Sequence, residues 1–180
     1  MTPTLAMLLA SSAAAAPPPE ATWFRAGLTA PYGVQPGISA VATHDITTWE
    51  GRRRDAAFSV GPRVAGFGRF ENHLSGVVGA EASVRWTSPD TGRFVSLDGG
   101  LGYMLSAQVH TVSVDLGSGD LDRSRELQHH FLPTLGVHFG RTQDRVGWYG
   151  GVLAGRHISP QTPDSLWMSV EAGVRFGGAR

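Results

Sequence analysis

The sequence predicts an all-β chain folded as an eight-stranded antiparallel up-and-down transmembrane β-barrel. Three observations carry this. Apolar residues alternate with small or polar ones, period two, from residue 37 to residue 176. Clusters of turn-forming residues separate the alternating runs. After the N-terminus, no stretch approaches the roughly 20 apolar residues that a membrane helix requires, so a membrane crossing must use strands.

Composition agrees with a barrel. The 180 residues suit one domain, and 24 glycines with only 17% charged residues disfavour a helical soluble fold. The 15 basic and 15 acidic residues cancel, so no global field recruits nucleic acid. With no cysteine, disulfides, thiolate metal sites and cysteine nucleophiles are excluded.

Residues 1–20 contain "TLAMLLASSAAAA" before "PPPE", which reads as a secretory signal or a disordered N-terminus, with Ala-x-Ala choices at Ala13–Ala16. No Lys or Arg precedes Arg25 in that stretch. Residues 21–36 read as an N-terminal segment, in which "WFRAGLT" at 23–29 is either an extra strand or an extension tucked against the barrel. Residues 37–180 read as the barrel itself.

Eight strands are expected within it, at 37–47, 56–69, 74–87, 93–105, 107–115, 126–140, 146–158 and 165–176. The clearest is 74–86, where Leu74, Gly76, Val78, Ala80, Ala82, Val84 and Trp86 form one face. Ser75, Val77, Gly79, Glu81, Ser83 and Arg85 form the other. In 93–105, Val95, Leu97, Leu101, Tyr103 and Leu105 oppose Ser96, Asp98, Gly100 and Gly102. In 166–176, Leu166, Met168, Val170, Ala172, Val174 and Phe176 oppose Trp167, Ser169, Glu171, Gly173 and Arg175. The connections are "TTWEGRRRD", "FENH", "SPDTG", "DLGSGDLDRS", "RTQDR" and "SPQTPD". If the last strand descends to the periplasm, "TTWEGRRRD", "SPDTG", "DLGSGDLDRS" and "SPQTPD" lie outside the cell, and "FENH" and "RTQDR" are periplasmic.

Sidedness separates a membrane barrel from a soluble barrel that carries a hydrophobic ligand. Small residues on the polar face fit a narrow eight-strand interior. That face also carries Arg63, Glu81, Arg85, Asp98, Glu171 and Arg175, a balanced set expected to pair across a closed lumen, with Glu81 and Glu171 bound to some subset of the three arginines. The opposite face carries Phe58, Trp86, Tyr103, Phe131, Phe139, Trp148 and Phe176, as interfacial girdles require. Hydrocarbon leaves no tolerance for an unpaired edge, so the sheet must close.

The order of "QPGISAVATHDIT", "RFENHLSGVVGAEASVRW", "GRFVSLDGGLGYMLS" and "SLWMSVEAGVRF" is similar to a group of small bacterial outer-membrane β-barrel proteins, over Gln35 to Phe176. That resemblance implies the bacterial outer membrane, a surface meeting lipid and lipopolysaccharide, and delivery by the barrel-insertion machinery. It implies no activity and no cofactor. The chain departs from the usual terminal aromatic, since "GGAR" follows Phe176.

His157, Ser159 and Glu171 resemble in spacing the outer-membrane lipid A deacylases, which carry His-x-Ser on one strand and Glu on the last. The resemblance implies His157 as base, Ser159 as nucleophile and Glu171 as the orienting acid for cleavage of a lipid acyl ester. Pro160 stands where that pattern has Asn. Parity opposes the site: Glu171 shares its face with Ser169 and Arg175, so it points inward if lipid is outside. The alternative is a structural one, with His157 and Ser159 at a strand end and Glu171 in an ion network. His129 and His130 are adjacent and face opposite sides, His138 falls on the small-residue face, and no metal-ligand spacing occurs. "GRRRD" at 51–55 is either a solvated loop or, if extracellular, a contact for lipopolysaccharide phosphates.

Overall fold

The structure, a computed structural model, describes residues 21–69, 73–114, 121–143, 145–160 and 163–178. Its eight strands are β1 (Thr22–Pro31), β2 (Gly37–Trp49), β3 (Asp55–Arg69), β4 (His73–Thr87), β5 (Arg93–Val114), β6 (Leu121–Gln143), β7 (Val146–His157) and β8 (Ser165–Gly178). Each pairs antiparallel with the next in sequence, and β1 pairs with β8, from Thr22↔Gly178 to Pro31↔Ser169, to close the barrel. Within the closed wall no strand edge is left to solvate, which is what allows a sheet to sit in hydrocarbon; the β5–β6 hairpin extends beyond that wall, past the last β4 partner at Gln108.

Two features of the strand plan differ from the sequence expectation. The barrel begins at Thr22 rather than residue 37, because "WFRAGLT" is the first strand and seals the sheet. The expected break near Ser106 does not exist: β5 runs unbroken through it, with Ser106 opposite Ser75 on one side and Gln128 on the other. Ser106 is a small buried residue in mid-strand, and its hydroxyl pairs with that of Ser75 at 2.7 Å, not with a turn. One strand missed and one strand split leave the total at eight.

That false break also inverts the loops before it. Residues 50–54 and 88–92 and the β6–β7 connection lie at the barrel end that holds Thr22 and Gly178, called here the terminal end. The β1–β2, β3–β4, β5–β6 and β7–β8 connections lie at the other. "GRRRD" and "SPDTG" therefore share an end with Thr22 and Gly178, while Arg69 and His73, which flank the β3–β4 connection, share the other with His157 and Ser165; residues 70–72 of "FENH" and 161–162 of "SPQTPD" lie outside the described residues. The β1–β2 turn is built on Tyr32 and Gly33, both left-handed (φ 53° and 69°), with the Gly33 and Val34 amides donating back to Ala30 and Pro31.

The wall is inside out relative to a soluble barrel. Leu28, Ile38, Val64, Leu74, Val78, Leu97, Leu101, Leu135, Val170 and Val174 all face outward and exposed, Ile38 at 69% and Leu135 at 66%. Exposed aromatics ring both ends of this belt. Phe24, Trp86, Phe139, Trp148 and Phe176 lie toward the terminal end, and Tyr32, Tyr103 and Phe131 toward the other. Phe131 and Phe139 sit eight residues apart on β6, which at about 3.3 Å per residue and a tilt near 40° spans about 20 Å of membrane depth.

The interior is solid and tiered. From the terminal end, Trp23, Asp45, Arg85, Phe94 and Arg175 come first, and Arg25, Glu81, Asp98, His138, Tyr149, Arg63 and Glu171 follow. Phe67, Val77, Met104, Leu132, Leu153 and Trp167 then form a buried apolar tier. Beyond it lie His73, Ser75, Ser106, His130 and His157. A soluble carrier would line its interior with the Leu/Val face, but that face is on the outside here.

Candidate functional site

The lumenal side chains reach the axis because alternate residues of every strand point inward, and facing glycines leave them room. Gly27 pairs with Gly173 across β1 and β8, beside the hydroxyl of Tyr149. Gly151 lies opposite His138, and a Cβ there would overlap both the imidazole ring and the Val137 carbonyl. The expected result for Gly151→Val is displacement of His138 and a lower midpoint of thermal unfolding, read as the temperature at which the compact gel band disappears; an unchanged midpoint would show that the ring is not tightly held.

All six residues expected in the lumen are there and buried. Arg63 donates from Nη2 to Glu171 Oε1 at 2.5 Å and from Nη1 to Glu81 Oε2 at 3.4 Å. The other oxygen of Glu81 accepts from Arg25 Nη2. Asp98 Oδ2 lies 2.5 Å from His138 Nδ1 and 3.7 Å from Arg25 Nη1. The His138 ring then reaches Glu171 Oε2 at 3.3 Å through Nε2. It bridges two carboxylates, donating to one of them in either neutral tautomer and to both as imidazolium. Arg85 pairs with Asp45 Oδ2 at 3.0 Å, which also accepts from Trp23 Nε1 at 3.2 Å. Arg175 is the exception: among the described residues it ion-pairs with no carboxylate, and lies instead over the rings of Trp23 (4.1 Å) and Phe94 (5.0 Å).

Arg25 and Asp45 belong to this network and escape the sequence reading. Arg25 sits on the strand that the reading left outside the barrel, although Trp23, Arg25, Gly27 and Thr29 already alternate with Phe24, Ala26, Leu28 and Ala30. Asp45 lies in unbroken alternation with the buried Ser39, Val41 and Thr43, ahead of the irregularity between Asp45 and Thr47, so the pleat of β2 carried the signal for it as well.

The three residues with deacylase spacing do not assemble. Glu171 is opposite Gly151, six residues (151 to 157) along β7 from His157, which at about 3.3 Å per residue is about 20 Å. Its carboxylate is inside the barrel, held by Arg63 and His138. His157 instead packs against His130, with ring centroids 5.1 Å apart and the planes tilted by 36°, and its Nδ1 lies 3.4 Å from the Ser165 hydroxyl, at the far mouth of the lumen. Ser159 follows beyond the end of β7. His129, the neighbour of His130, faces outward to the Tyr103 hydroxyl. Among the described residues no three His, Asp or Glu side chains converge so as to hold a metal ion.

A closed eight-stranded barrel with a greasy exterior, aromatic girdles and a charged, plugged interior defines a membrane-spanning β-barrel protein. No protein-family model matches the sequence, and no curated protein sequence does. Among solved structures, the chain is similar to the N-terminal β-barrel domain of OprF from Pseudomonas aeruginosa, with TM-score 0.50 at 10% identity, covering 87% of this chain and 96% of that one. Neisserial surface protein A matches with TM-score 0.47 at 12% identity, covering 87% of this chain and 96% of that one. At such identity the likeness to the OprF domain is one of fold.

Proposed function

We propose that this chain is a bacterial outer-membrane β-barrel with a structural or interaction role, its lumen closed by the ion network and the apolar tier. One observation carries the reading: apolar side chains face out along every strand, while the carboxylates and guanidinium groups meet on the axis. Closed barrels of this kind, with an even number of strands, are the form in which β-sheets cross the bacterial outer membrane. In this reading the barrel end that holds Thr22 and Gly178 faces the periplasm with the short β6–β7 connection, and the long β5–β6 hairpin projects outward, matching the usual contrast of short periplasmic turns with longer external loops. Lipopolysaccharide and phospholipid chains contact the exterior belt, and the barrel-insertion machinery delivers the chain. The "GRRRD" loop then faces the periplasm and does not meet lipopolysaccharide.

Cell fractionation with gel migration tests this. The expected result is recovery with outer membranes and a compact band that runs faster unboiled than boiled. Recovery as a soluble periplasmic protein without detergent would overturn it.

A further inference from the structure

We infer that the terminal-end mouth of the lumen is a binding site for a small oxyanion, a carboxylate or a phosphate, with Arg175 as its anchor. Arg175 as a residue is 4% exposed, and its Nε is buried with no hydrogen-bond partner. Among the described residues it makes no hydrogen bond and no ion pair. The rings of Trp23 and Phe94 use its π cloud and leave its in-plane N–H donors unclaimed. The one carboxylate lining this mouth among the buried side chains is already shared: Asp45 Oδ2 takes Arg85 and Trp23, while its Oδ1 is buried and accepts no hydrogen bond. Deeper in the lumen, Glu81, Asp98 and Glu171 are held by Arg25, Arg63 and His138. Among the described residues Arg85 and Arg175 thus face this mouth with the single carboxylate of Asp45 between them, and a buried cation in excess is strongly unfavourable, so the site as built favours an anion from elsewhere.

There is room for one. A cavity of about 260 Å³ opens at this mouth, lined by Trp23, Asp45, Trp49, Arg85, Thr142 and Arg175. That is several times the ~30 Å³ share of a liquid water and below the size usual for drug-like ligands. A guanidinium fork matches the paired oxygens of a carboxylate or phosphate better than it matches a spherical ion such as chloride.

The same mouth carries the basic loop that the fold leaves without a role. Arg52, Arg53 and Arg54 are exposed on the β2–β3 connection, whose flanking Trp49, Glu50 and Asp55 line the cavity. The three arginines outnumber Glu50 and Asp55 at the rim, so the local field draws an anion inward.

The test uses the full chain refolded in uncharged detergent, with tryptophan fluorescence as the reporter because Trp23 touches the guanidinium. Acetate and inorganic phosphate are titrated separately, against sodium chloride at matched ionic strength. A saturable change with either supports the site and identifies whether it prefers the planar or the tetrahedral ion. Arg175→Lys keeps the charge and removes the fork, and is expected to weaken binding about tenfold or more. Replacing Arg52, Arg53 and Arg54 by serine is expected to weaken binding chiefly at low salt. Responses to both anions that only track chloride, or undiminished affinity in a folded Arg175→Lys protein, would overturn the inference. Should a variant fail to fold, the titration of the unaltered protein decides.

Discussion

Replacing Glu81 with leucine lowers the stability of the folded barrel by about 3–5 kcal/mol, the usual consequence of removing one partner from a buried ion pair. Glu81 is 2% exposed and holds two arginines, accepting from Arg25 on one oxygen and Arg63 on the other. Leucine is close in size, so the cavity term is small and the loss is electrostatic. Arg63 still keeps Glu171, at 2.5 Å, whereas the carboxylate left to Arg25 among the described residues is Asp98, at 3.7 Å, with His138 competing for the same oxygen. The measurement is urea unfolding in detergent or lipid, followed by tryptophan fluorescence. Glu171→Gln is expected to act in the same direction, because it weakens contacts with both Arg63 and His138. An unfolding midpoint unchanged by either substitution would refute the view that the lumen is held by charge.

The second large effect is on the opposite surface. Leu135→Arg, introduced midway between the girdle residues Phe131 and Phe139, lowers stability in bilayers by about 2–4 kcal/mol, while Val146→Arg, at the terminal end of the wall, costs about 1 kcal/mol or less. Both positions are open, Leu135 at 66% and Val146 at 60% exposure. A soluble barrel would tolerate the two alike, since an exposed arginine in water costs little. The gradient with depth is therefore specific to lipid, and refolding yields and urea midpoints in vesicles read it. Equal effects at the two positions would show that the belt is not embedded.

These two experiments probe opposite faces of the same strands, and together they test sidedness independently of any ligand. The Arg175 site adds a further layer, since its anchor lies in the tier nearest the terminal mouth and not in the network around Glu81. Loss of anion binding and loss of the central network are distinguishable for that reason.

Much of the architecture was legible in residues. Alternation from Leu74 to Trp86 and from Leu166 to Phe176 identifies faces without any tertiary information, because successive strand side chains point to opposite sides. The sign of the faces was also legible. Gly, Ser and charged residues share one side, and glycines and serines on that side leave an eight-stranded interior room for the larger lumenal side chains. Two boundaries were not legible. Ser106 resembles a turn residue until its neighbours Ser75 and Gln128 are known, and "WFRAGLT" reads equally as a strand or as an extension until β2 and β8 flank it. Local sequence reports the pleat, whereas a strand's ends depend on which partners supply hydrogen bonds.

By itself, then, the sequence determined period, polarity of faces and the need for closure, all of which follow from steric alternation and from the cost of an unpaired backbone in hydrocarbon. Only the tertiary structure decided which charges meet. Arg25 and Glu81 are 56 residues apart, Arg63 and Glu171 are 108 apart, and closure between the first and last strands brings the partners to one axis. The same closure left Arg175 among aromatic rings and, among the described residues, in no ion pair with a carboxylate, which no reading of a single strand reveals, because pairing across a lumen is set by the register around the whole barrel.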